Sequence, residues 1–431
     1  MYLHEKDNWT EFTWDESRVA ILLDEVVRQQ GHLYGRLSGM GFNDQLRAMA
    51  ENMTRELLFS SEIEGIKLNV DEVRSSIARR LGIDLAKYVA SSRYVEAVVA
   101  IMVDATEHYD RPLTKEILCG WQSAFFPTGY SQGNPIEVGK YRSHDEVIVS
   151  GYMGRERVHY MAPSPERVEQ EMHRFIDWFN AELPISPVIR SAIAHFWFVS
   201  IHPFEDGNGR LARIIGDMML ARGDKSKMRF YNLSSAINLD KKHYYVALES
   251  MQRGDGDITE WLVWYLHTLQ HAIEDAQVMV SAVLNKSIFW MHAAKIAISQ
   301  RQVDVLNLFL DGYEAKITSK NWASMGKCSK DTAIRDIQDL VNKGVLYPDV
   351  PDAKRPSYSI NYGIAMEDFM QMFSQMQVIE DKEKHFLVAN YQGHVVKERI
   401  TSLDADRYLR GDITLPQLMS KYFSYLAAQR I

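Results

Sequence analysis

Apolar residues recur at helical spacing through most of the first 290 positions. They fall three and four residues apart within residues 16–31 and 46–59, which predicts two amphipathic helices that cover a core. The same spacing in residues 70–82, 88–109 and 258–280 predicts three more helices. The pattern therefore indicates a mostly α-helical body.

Residues 188–200 differ from these helices because they are apolar on nearly every side, with Ile189, Phe196 and Trp197 among them. A helix of this kind is buried all round, so we expect it to be the central helix of the body. A buried, rigid helix also holds the residue at its end in a fixed position. We expect His195, inside this helix, to be a hydrogen-bonded core residue rather than a catalyst.

The composition changes between residues 127 and 165, where glycines are frequent and two β-prone runs occupy residues 146–150 and 157–161. Two such runs joined by Gly-Tyr-Met-Gly predict a β-hairpin. A surface hairpin is either decoration or a docking element, because an exposed strand edge can accept an extended peptide as an added strand.

A second change of composition near residue 298 predicts a separate domain over residues 298–362. Its expected elements are a helix over 303–310, a short strand over 316–318, helices over 322–325 and 329–342, and a strand pair over 345–347 and 358–360. Residues 363–431 form an extension with an expected hairpin over 386–396 and a helix from Leu415, to which we assign no function.

Composition and charge narrow the class of protein. With 431 residues, 46% of them hydrophobic and 25% charged, the chain reads as a soluble globular protein. A net charge of −8 argues against a broad nucleic-acid surface, although one basic face on a small domain remains compatible with it. Cys119 and Cys328 lack metal-type spacing, and the start of the chain lacks the apolar run of a secretory signal, so we expect a cytoplasmic protein with no membrane segment.

Residues 201–213, IHPFEDGNGRLAR, combine the features of a phosphate site. They contain a Gly-Asn-Gly turn, formed by Gly207, Asn208 and Gly209, directly before a predicted helix. Free N–H groups and the helix dipole at such a start favour an anion, most often phosphate. Arg210 and Arg213 are three residues apart, so both can reach phosphates of one nucleotide. Asp206 is a candidate ligand for the accompanying Mg²⁺, and His202 is a candidate base for an incoming hydroxyl.

These residues resemble the signature of the Fic family, which is His, any residue, Phe, any residue, Asp or Glu, Gly, Asn, Gly, Arg, two free positions and Arg. Every required position is filled, by His202, Phe204, Asp206, Gly207, Asn208, Gly209, Arg210 and Arg213. A helix start with solvated arginines would explain the glycines, but not the His, the Asp and the second Arg together. The resemblance implies an all-helical Fic core, residues 111–290, after an N-terminal helical region, residues 1–110.

The resemblance also implies the activity, which is transfer of AMP from ATP to a Ser, Thr or Tyr hydroxyl of a target protein. In that reaction Asp206 would hold Mg²⁺, the turn and both arginines would bind the phosphates, and His202 would activate the hydroxyl. Tyr244 and Tyr245 resemble residues beside the family's adenine pocket, although aromatic residues at this spacing are equally typical of a core.

A helix end is the plain interpretation of the segment that contains Ser60, Glu64 and Gly65, with the glycine terminating the helix. They also fill the pattern of the self-inhibitory helix that many Fic proteins carry before the core. The resemblance implies that Glu64 holds Arg213 by a bidentate contact and competes with the γ-phosphate of ATP.

The hairpin at about 146–161 resembles the flap on which Fic proteins dock a target, and Gly139, Tyr141 and Arg142 resemble its lead-in. Self-modification and a homo-oligomer are compatible with this organisation. Two alternative functions remain open. In the first, the same site removes AMP from a modified protein. In the second, the protein is a DNA-binding regulator with a nucleotide-sensing Fic core. The intact His202 argues against the second.

Residues 298–362 resemble a winged helix, an α+β module, and CSKDTAIRDIQDLVNKGVL is close to the recognition helix of many bacterial regulators. Candidate phosphate contacts on this module are Lys330, Arg335, Lys354 and Arg355. Asp331, Asp336 and Asp339 weaken the case for DNA. The sequence therefore favours a module that contacts or recruits a protein over one that binds DNA.

Overall fold

The computed structural model describes residues 1–38, 40–85, 88–131, 133–150, 157–310, 315–350, 353, 356–361, 373–381, 384–391, 394–411, 413, 415, 417–419 and 421–422. Its helices are α1 (Glu16–Ser38), α2 (Phe42–Ile63), α3 (Val70–Leu81), α4 (Arg93–Glu107), α5 (Lys115–Phe125), α6 (Pro165–Asn180), α7 (Pro187–Ile201), α8 (Asn208–Asp224), α9 (Leu233–Leu239), α10 (Lys241–Gln252), α11 (Thr259–Ala293), α12 (Gln300–Leu310), α13 (Ser319–Met325), α14 (Lys330–Asn342) and α15 (Ser402–Leu409). Its strands are β1 (Tyr130–Ser131), β2 (Asn134–Pro135), β3 (Val147–Ser150), β4 (Arg157–Met161), β5 (Leu346–Pro348), β6 (Tyr358–Ile360), β7 (Phe373–Asp381), β8 (Lys384–Tyr391) and β9 (His394–Ile400). The predicted mostly helical fold is confirmed.

The chain divides into two compact units. The first comprises Met1–His32 and Met49–Ile273, and the second comprises Leu33–Ala48 and Glu274–Ile431. The motif and the predicted hairpin both lie in the first unit. Among the described residues, no helix has the length and apolar character needed to cross a membrane.

The buried centre of the first unit is α7, as its all-round apolar sequence predicts. The helix begins at Pro187, where the missing proline N–H is tolerated, and the hydroxyl of Ser186 accepts the next free N–H at 3.3 Å. His195 is fully buried, and its Nε2 lies 2.9 Å from the Tyr244 hydroxyl, as expected for a core histidine. The buried helix fixes the position at which the motif begins.

The first two helices are longer than their apolar patterns suggest. Gly31 does not end α1, although glycine costs a helix about 1 kcal/mol relative to alanine. The helix continues because Leu33 and Leu37, both buried, extend its packed face. The second helix, α2, runs on to Ile63, so Ser60 lies in its last turn.

The predicted hairpin of the first unit is present. Its strands β3 and β4 pair antiparallel, with Val147 opposite Met161 and Val149 opposite Val158. A bulge interrupts the register after Ile148, and bulges twist a strand pair locally. The Gly-Tyr-Met-Gly connection lies outside the described residues.

In the second unit, α12, α13 and α14 are followed by the antiparallel pair β5 and β6, in the predicted order. Residues 316–318 form a single bridge, Ile317 to Tyr358, instead of the predicted strand. Trp322 is fully buried at the centre of this helical cluster. The winged-helix assignment stays a prediction, and Lys354 and Arg355 lie outside the described residues.

The C-terminal extension forms a three-stranded antiparallel sheet with β8 in its middle. The predicted hairpin corresponds to β8 and β9, whereas β7 and α15 were not predicted. Arg36 donates to Glu398 of β9 and, at 2.6 Å, to Ser281, so a buried ion pair ties residues 33–48 to this sheet. Part of the helix predicted from Leu415 lies outside the described residues.

Candidate active site

A tight turn joins α7 to α8 and carries the motif. His202 adopts a left-handed backbone, with φ of 52°, and thereby ends α7. Gly207, with φ of 93°, directly precedes α8. A Cβ at Gly207 would lie 3.2 Å from the Phe126 ring, so both the backbone angle and the space require glycine. The turn places the imidazole and the first N–H groups of α8 in one short loop.

The Asn208 side chain closes this loop. Its Oδ1 accepts the Phe204 N–H at 3.0 Å, and its Nδ2 donates to the Phe204 carbonyl at 2.6 Å. Because the side chain is buried and committed to these bonds, a phosphate contact from Asn208 would come from its backbone N–H. That N–H lies at the positive end of the α8 dipole.

Arg142 fixes the end of α7, a role that its sequence context did not predict. Its guanidinium is buried and donates to the carbonyls of His202 at 2.8 Å, His144 at 2.8 Å and Pro163 at 2.6 Å. The last carbonyls of a helix have no partner within the helix. Arg142 supplies one for the residue that also carries the candidate base.

The His202 ring is held in the form that a base requires. Its Nδ1 lies 3.1 Å from the Val199 carbonyl. A carbonyl only accepts, so we assign the proton to Nδ1, which leaves Nε2 with a free lone pair. Desolvation lowers the pKa of His202 to about 4, although the Val199 carbonyl opposes this shift. The imidazole is therefore neutral near neutral pH.

The two motif arginines are buried beside the turn. Arg210 donates to the Tyr94 hydroxyl at 2.6 Å, and its guanidinium lies 4.4 Å from the centre of the Phe125 ring. Arg213 donates to the Ser60 hydroxyl and carbonyl, each at 2.9 Å. Among the described residues, Nε of Arg210 and Nη1 of Arg213 have no hydrogen-bond partner. Two buried guanidinium groups with spare donors suit a phosphate ligand.

Glu64 contacts Arg213, as the inhibitory pattern implies. The contact is a single hydrogen bond, from Nη2 to Oε1 at 2.8 Å, so the expected bidentate geometry is wrong. The reason is that Ser60, one helical turn earlier, takes the Nε donor and shares Nη2. Burial alone would raise the pKa of Glu64, but Arg213, Arg210 and Lys241 outweigh it and hold that pKa below its ordinary value.

The Glu64 carboxylate covers the start of α8. A Cβ at Gly209 would lie only 2.4 Å from Oε1 of Glu64, so the carboxylate fits there because residue 209 has no side chain. It occupies the space above the first turn, where helix N–H groups favour an anion. Gly65, with φ of 77°, turns the chain away immediately afterwards.

Asp206 lies at the edge of the turn, with its side chain 38% exposed. Its Oδ1 accepts the Gly207 N–H at 2.5 Å, and its Oδ2 accepts the Ser131 hydroxyl. Both bonds orient the carboxylate and leave lone pairs free. An oriented, accessible carboxylate beside phosphate-binding donors fits Mg²⁺. The sequence did not point to Ser131.

Glu137, His144 and Glu205 form a second group that could hold a metal ion, with their ligand atoms all within 4.8 Å of one another. Glu137 already accepts two hydrogen bonds from Ser143, at 2.7 and 2.8 Å. The group does not include the predicted ligand Asp206, although Glu205 is its neighbour in the chain, and its members were not singled out in the sequence.

The stretch of sequence that carries this turn matches a known family. Residues 112–220, which include the whole turn and its arginines, match the Fic/DOC family. The chain contains a Fic/DOC domain. Residues 2–83 match a second family, described as a domain of unknown function, DUF4172. Glu64 therefore lies outside the Fic match and reaches the Fic domain from the neighbouring helical region.

Two curated relatives illustrate the similarity. The protein adenylyltransferase Fic of Nematostella vectensis is 26% identical over 253 residues, covering 54% of this chain and 51% of the relative. The protein adenylyltransferase fic-1 of Caenorhabditis elegans is 38% identical over 91 residues, covering 21% and 16%. The chain thus spans about half the length of the first relative and less of the second. A solved Fic family protein from Desulfovibrio desulfuricans covers 80% of this chain and 96% of its own, at 20% identity and a TM-score of 0.48.

The two tyrosines predicted to line an adenine pocket lie beyond residue 220, where the Fic match ends, and their surroundings differ. Tyr244 is buried, and its hydroxyl bonds to His195 of the core. Tyr245 is 44% exposed, and its ring centre lies 5.0 Å from that of Tyr244. Of the two, Tyr245 is the side chain that solvent reaches, and the adenine-pocket assignment stays a prediction.

Proposed function

We propose that this protein transfers AMP from ATP to a Ser, Thr or Tyr hydroxyl of a target protein, and that Glu64 restrains the reaction. The observation that carries the proposal is the position of His202: its Nδ1 lies on the Val199 carbonyl, and its ring stands in the same loop as a helix start flanked by Arg210 and Arg213. The names of the relatives support ATP as the AMP donor.

His202 takes the proton of the attacking hydroxyl at Nε2. The hydroxyl oxygen bonds to the α-phosphorus of ATP, and the bond to the β-phosphate oxygen breaks, so pyrophosphate leaves with the electron pair. The N–H groups of the turn and both arginines hold the phosphates and balance their charge. Asp206 would hold Mg²⁺, which supplies further charge neutralisation when bound.

Glu64 opposes this chemistry by occupying an anion site. Its carboxylate lies over the first turn of α8 and uses an Arg213 donor that a γ-phosphate would need. ATP must therefore displace Glu64 or bind out of line. The proposed resting state is inhibited.

The hairpin offers a docking edge for the target. On β4, the carbonyls of Val158 and His159 accept hydrogen bonds from Arg253 at 2.9 to 3.2 Å, so this edge is already covered. On the described strands, apolar side chains are exposed at two opposed pairs on one face, Val147 with Met161 and Val149 with Val158. We propose that a target segment adds to the β3 edge, with apolar residues at alternate positions against this face.

We propose a protein-recruiting role for residues 298–362, and one observation keeps DNA binding as a second candidate. Asp336 accepts two hydrogen bonds from Arg301, both at 2.8 Å, and Asp339 is bound by the lysine one turn later. Two of the three aspartates that weaken the case for DNA are thus already paired. Lys330 and Arg335 are exposed on the same helix.

A mobility-shift titration of the full chain on duplex DNA, repeated across a salt series, separates these roles. Phosphate contacts would give binding that weakens steeply with salt and is lost on Lys330→Ala/Arg335→Ala. DNA binding that is absent or insensitive to salt would exclude phosphate contacts and leave protein recruitment as the proposed role. We further propose a cytoplasmic location, which the two free cysteines support.

Labelling with ATP tagged at the α-phosphate tests the main proposal. The Glu64→Gly variant, incubated with lysate, should label proteins, whereas Glu64→Gly/His202→Ala should not. Equal labelling by both variants would overturn the mechanism. Release of AMP from a pre-labelled target in the absence of pyrophosphate would instead favour removal of AMP as the main activity.

A further inference from the structure

The bulge in the β3–β4 hairpin carries a histidine. On β4, the two neighbours of His159 pair with Ile148 and Val149, which are consecutive on β3, so His159 is the extra residue of the bulge. A bulge re-aims the side chain of its extra residue, and bulges are common beside active sites. The His159 carbonyl accepts two hydrogen bonds from Arg253, which follows α10, at 2.9 and 3.2 Å. These bonds hold the bulged backbone in place.

The His159 ring joins a serine to a glutamate. Its Nε2 lies 2.5 Å from the hydroxyl of Ser150 on β3, and its Nδ1 lies 2.6 Å from Oε2 of Glu249 on α10. Ser150 is exposed, whereas the side chains of His159 and Glu249 are 27% and 18% exposed. The three side chains therefore form a chain of hydrogen bonds that runs from an accessible hydroxyl to a largely covered carboxylate.

The charge of Glu249 sets the direction of these bonds. Burial would raise the pKa of Glu249, but the hydrogen bonds from His159 and Arg157 outweigh it and hold that pKa below its ordinary value. An ionised carboxylate only accepts, so we assign a proton to Nδ1 of His159. In the neutral ring, Nε2 then accepts the Ser150 hydroxyl. A histidine bonded in this way can take the proton of the serine.

We propose that Ser150 is the nucleophile of a second reactive centre, which takes the acyl group from carboxylic esters that carry a good leaving group. The centre consists of an accessible hydroxyl, a base bonded to it and a carboxylate that orients the base, and such a set is recognised by its geometry rather than by its order in the chain. None of the three side chains belongs to the Fic turn, so this activity is independent of AMP transfer.

The reaction begins at Oγ of Ser150. As this oxygen bonds to the carbonyl carbon of the ester, its proton passes to Nε2 of His159, and Glu249 stabilises the imidazolium that forms. The bond from that carbon to the leaving oxygen then breaks, and the leaving oxygen takes the proton from Nε2. The acyl group stays on Ser150. Arg157 lies opposite Ser150 in the strand register, so its positive charge is on the side where the oxyanion develops.

A serine-directed fluorophosphonate probe tests the nucleophile, because fluoride leaves as Oγ bonds to phosphorus. The experiment uses the full chain with His202→Ala, which removes the candidate base of the Fic turn. Peptide mass spectrometry should locate the label on Ser150. Ser143 is a matched internal control, since it is exposed on the same segment but its hydroxyl donates to Glu137, at 2.8 Å, instead of to a histidine. Ser143 should stay unlabelled.

Variants of the base and the carboxylate test their roles. His159→Gln removes the base, so labelling of Ser150 should slow about 100-fold. His159→Ala should lose as much and regain part of the rate when imidazole is added, which a purely structural role would not allow. Glu249→Gln should slow labelling at least about tenfold, and Glu249→Asp, which restores the carboxylate, should recover part of the loss.

The substrate p-nitrophenyl acetate tests acyl transfer itself. The wild-type chain should release a rapid burst of about one equivalent of p-nitrophenolate and gain an acetyl group on Ser150, whereas Ser150→Ala should do neither. Labelling of Ser150 no faster than that of Ser143, or equal labelling in His159→Gln, would overturn the reactive centre. Absence of the burst in the wild type, or its survival in Ser150→Ala, would do the same.

Discussion

Removing the Glu64 carboxylate should release the Fic domain from its restraint. We compare Glu64→Gly, which removes the side chain, with Glu64→Gln, which keeps its shape and removes its charge. Glycine next to Gly65 also loosens the helix end, so the glutamine variant isolates the charge. Glu62→Gln serves as a control for the loss of one negative charge from α2.

The geometry sets the size of the effect. A hydrogen bond between charged groups contributes about 1.5–3 kcal/mol. The contact has one hydrogen bond instead of two, and the Glu64 side chain is 31% exposed, so the lower end of this range applies. We therefore expect ATP to bind roughly tenfold more tightly to Glu64→Gln than to the wild type. Larger gains in labelling would indicate that Glu64 also misaligns bound ATP.

Titration calorimetry with a non-hydrolysable ATP analogue measures affinity, and labelling with α-phosphate-tagged ATP measures turnover. Tighter binding in both Glu64 variants, but not in Glu62→Gln, supports competition for Arg213. If Glu64→Gln binds the analogue as weakly as the wild type while Glu64→Gly gains affinity, bulk rather than charge is responsible. If neither variant gains affinity or turnover, the inhibitory role of Glu64 is refuted.

Further variants test the parts of the site that hold the base. Arg142→Lys keeps a charge but cannot reach three carbonyls, so kcat should fall at least about tenfold with little change in the KM for ATP; an unchanged kcat would contradict the positioning role. Asn208→Ala removes two buried hydrogen bonds and should lower the free energy of unfolding by about 1–3 kcal/mol, measured by urea denaturation. The base is active when deprotonated, so labelling by Glu64→Gly should stay level near neutral pH. Labelling should fall as the pH drops through about 4, the pKa of His202. A fall centred near pH 6.5 would instead place His202 in an ordinary, hydrated setting. Ser131→Ala should raise the Mn²⁺ dissociation constant a few-fold by electron paramagnetic resonance, since Asp206 loses one of its two orienting bonds.

The sequence by itself determined the local parts of this protein. The apolar residues of 188–200 give a helix buried on every side, because the 3.6-residue period leaves no polar face. The glycines of the motif identify the turn, because a positive φ and close packing exclude other residues there. The spacing from Ser60 to Glu64 is one helical turn, so both side chains reach the same guanidinium. Each of these inferences uses residues only a few positions apart.

Tertiary structure decided which distant residues complete the site. Arg142, Ser131 and Tyr94 approach the turn from elements 60 to 116 positions earlier in the chain. Their own neighbours in sequence carry no periodic signal of this role, since a hydrogen bond between distant segments depends on how those segments pack. Local spacing therefore specified the turn and the side chains on it, whereas packing specified which distant side chains bind the turn, such as Arg142 at the end of α7.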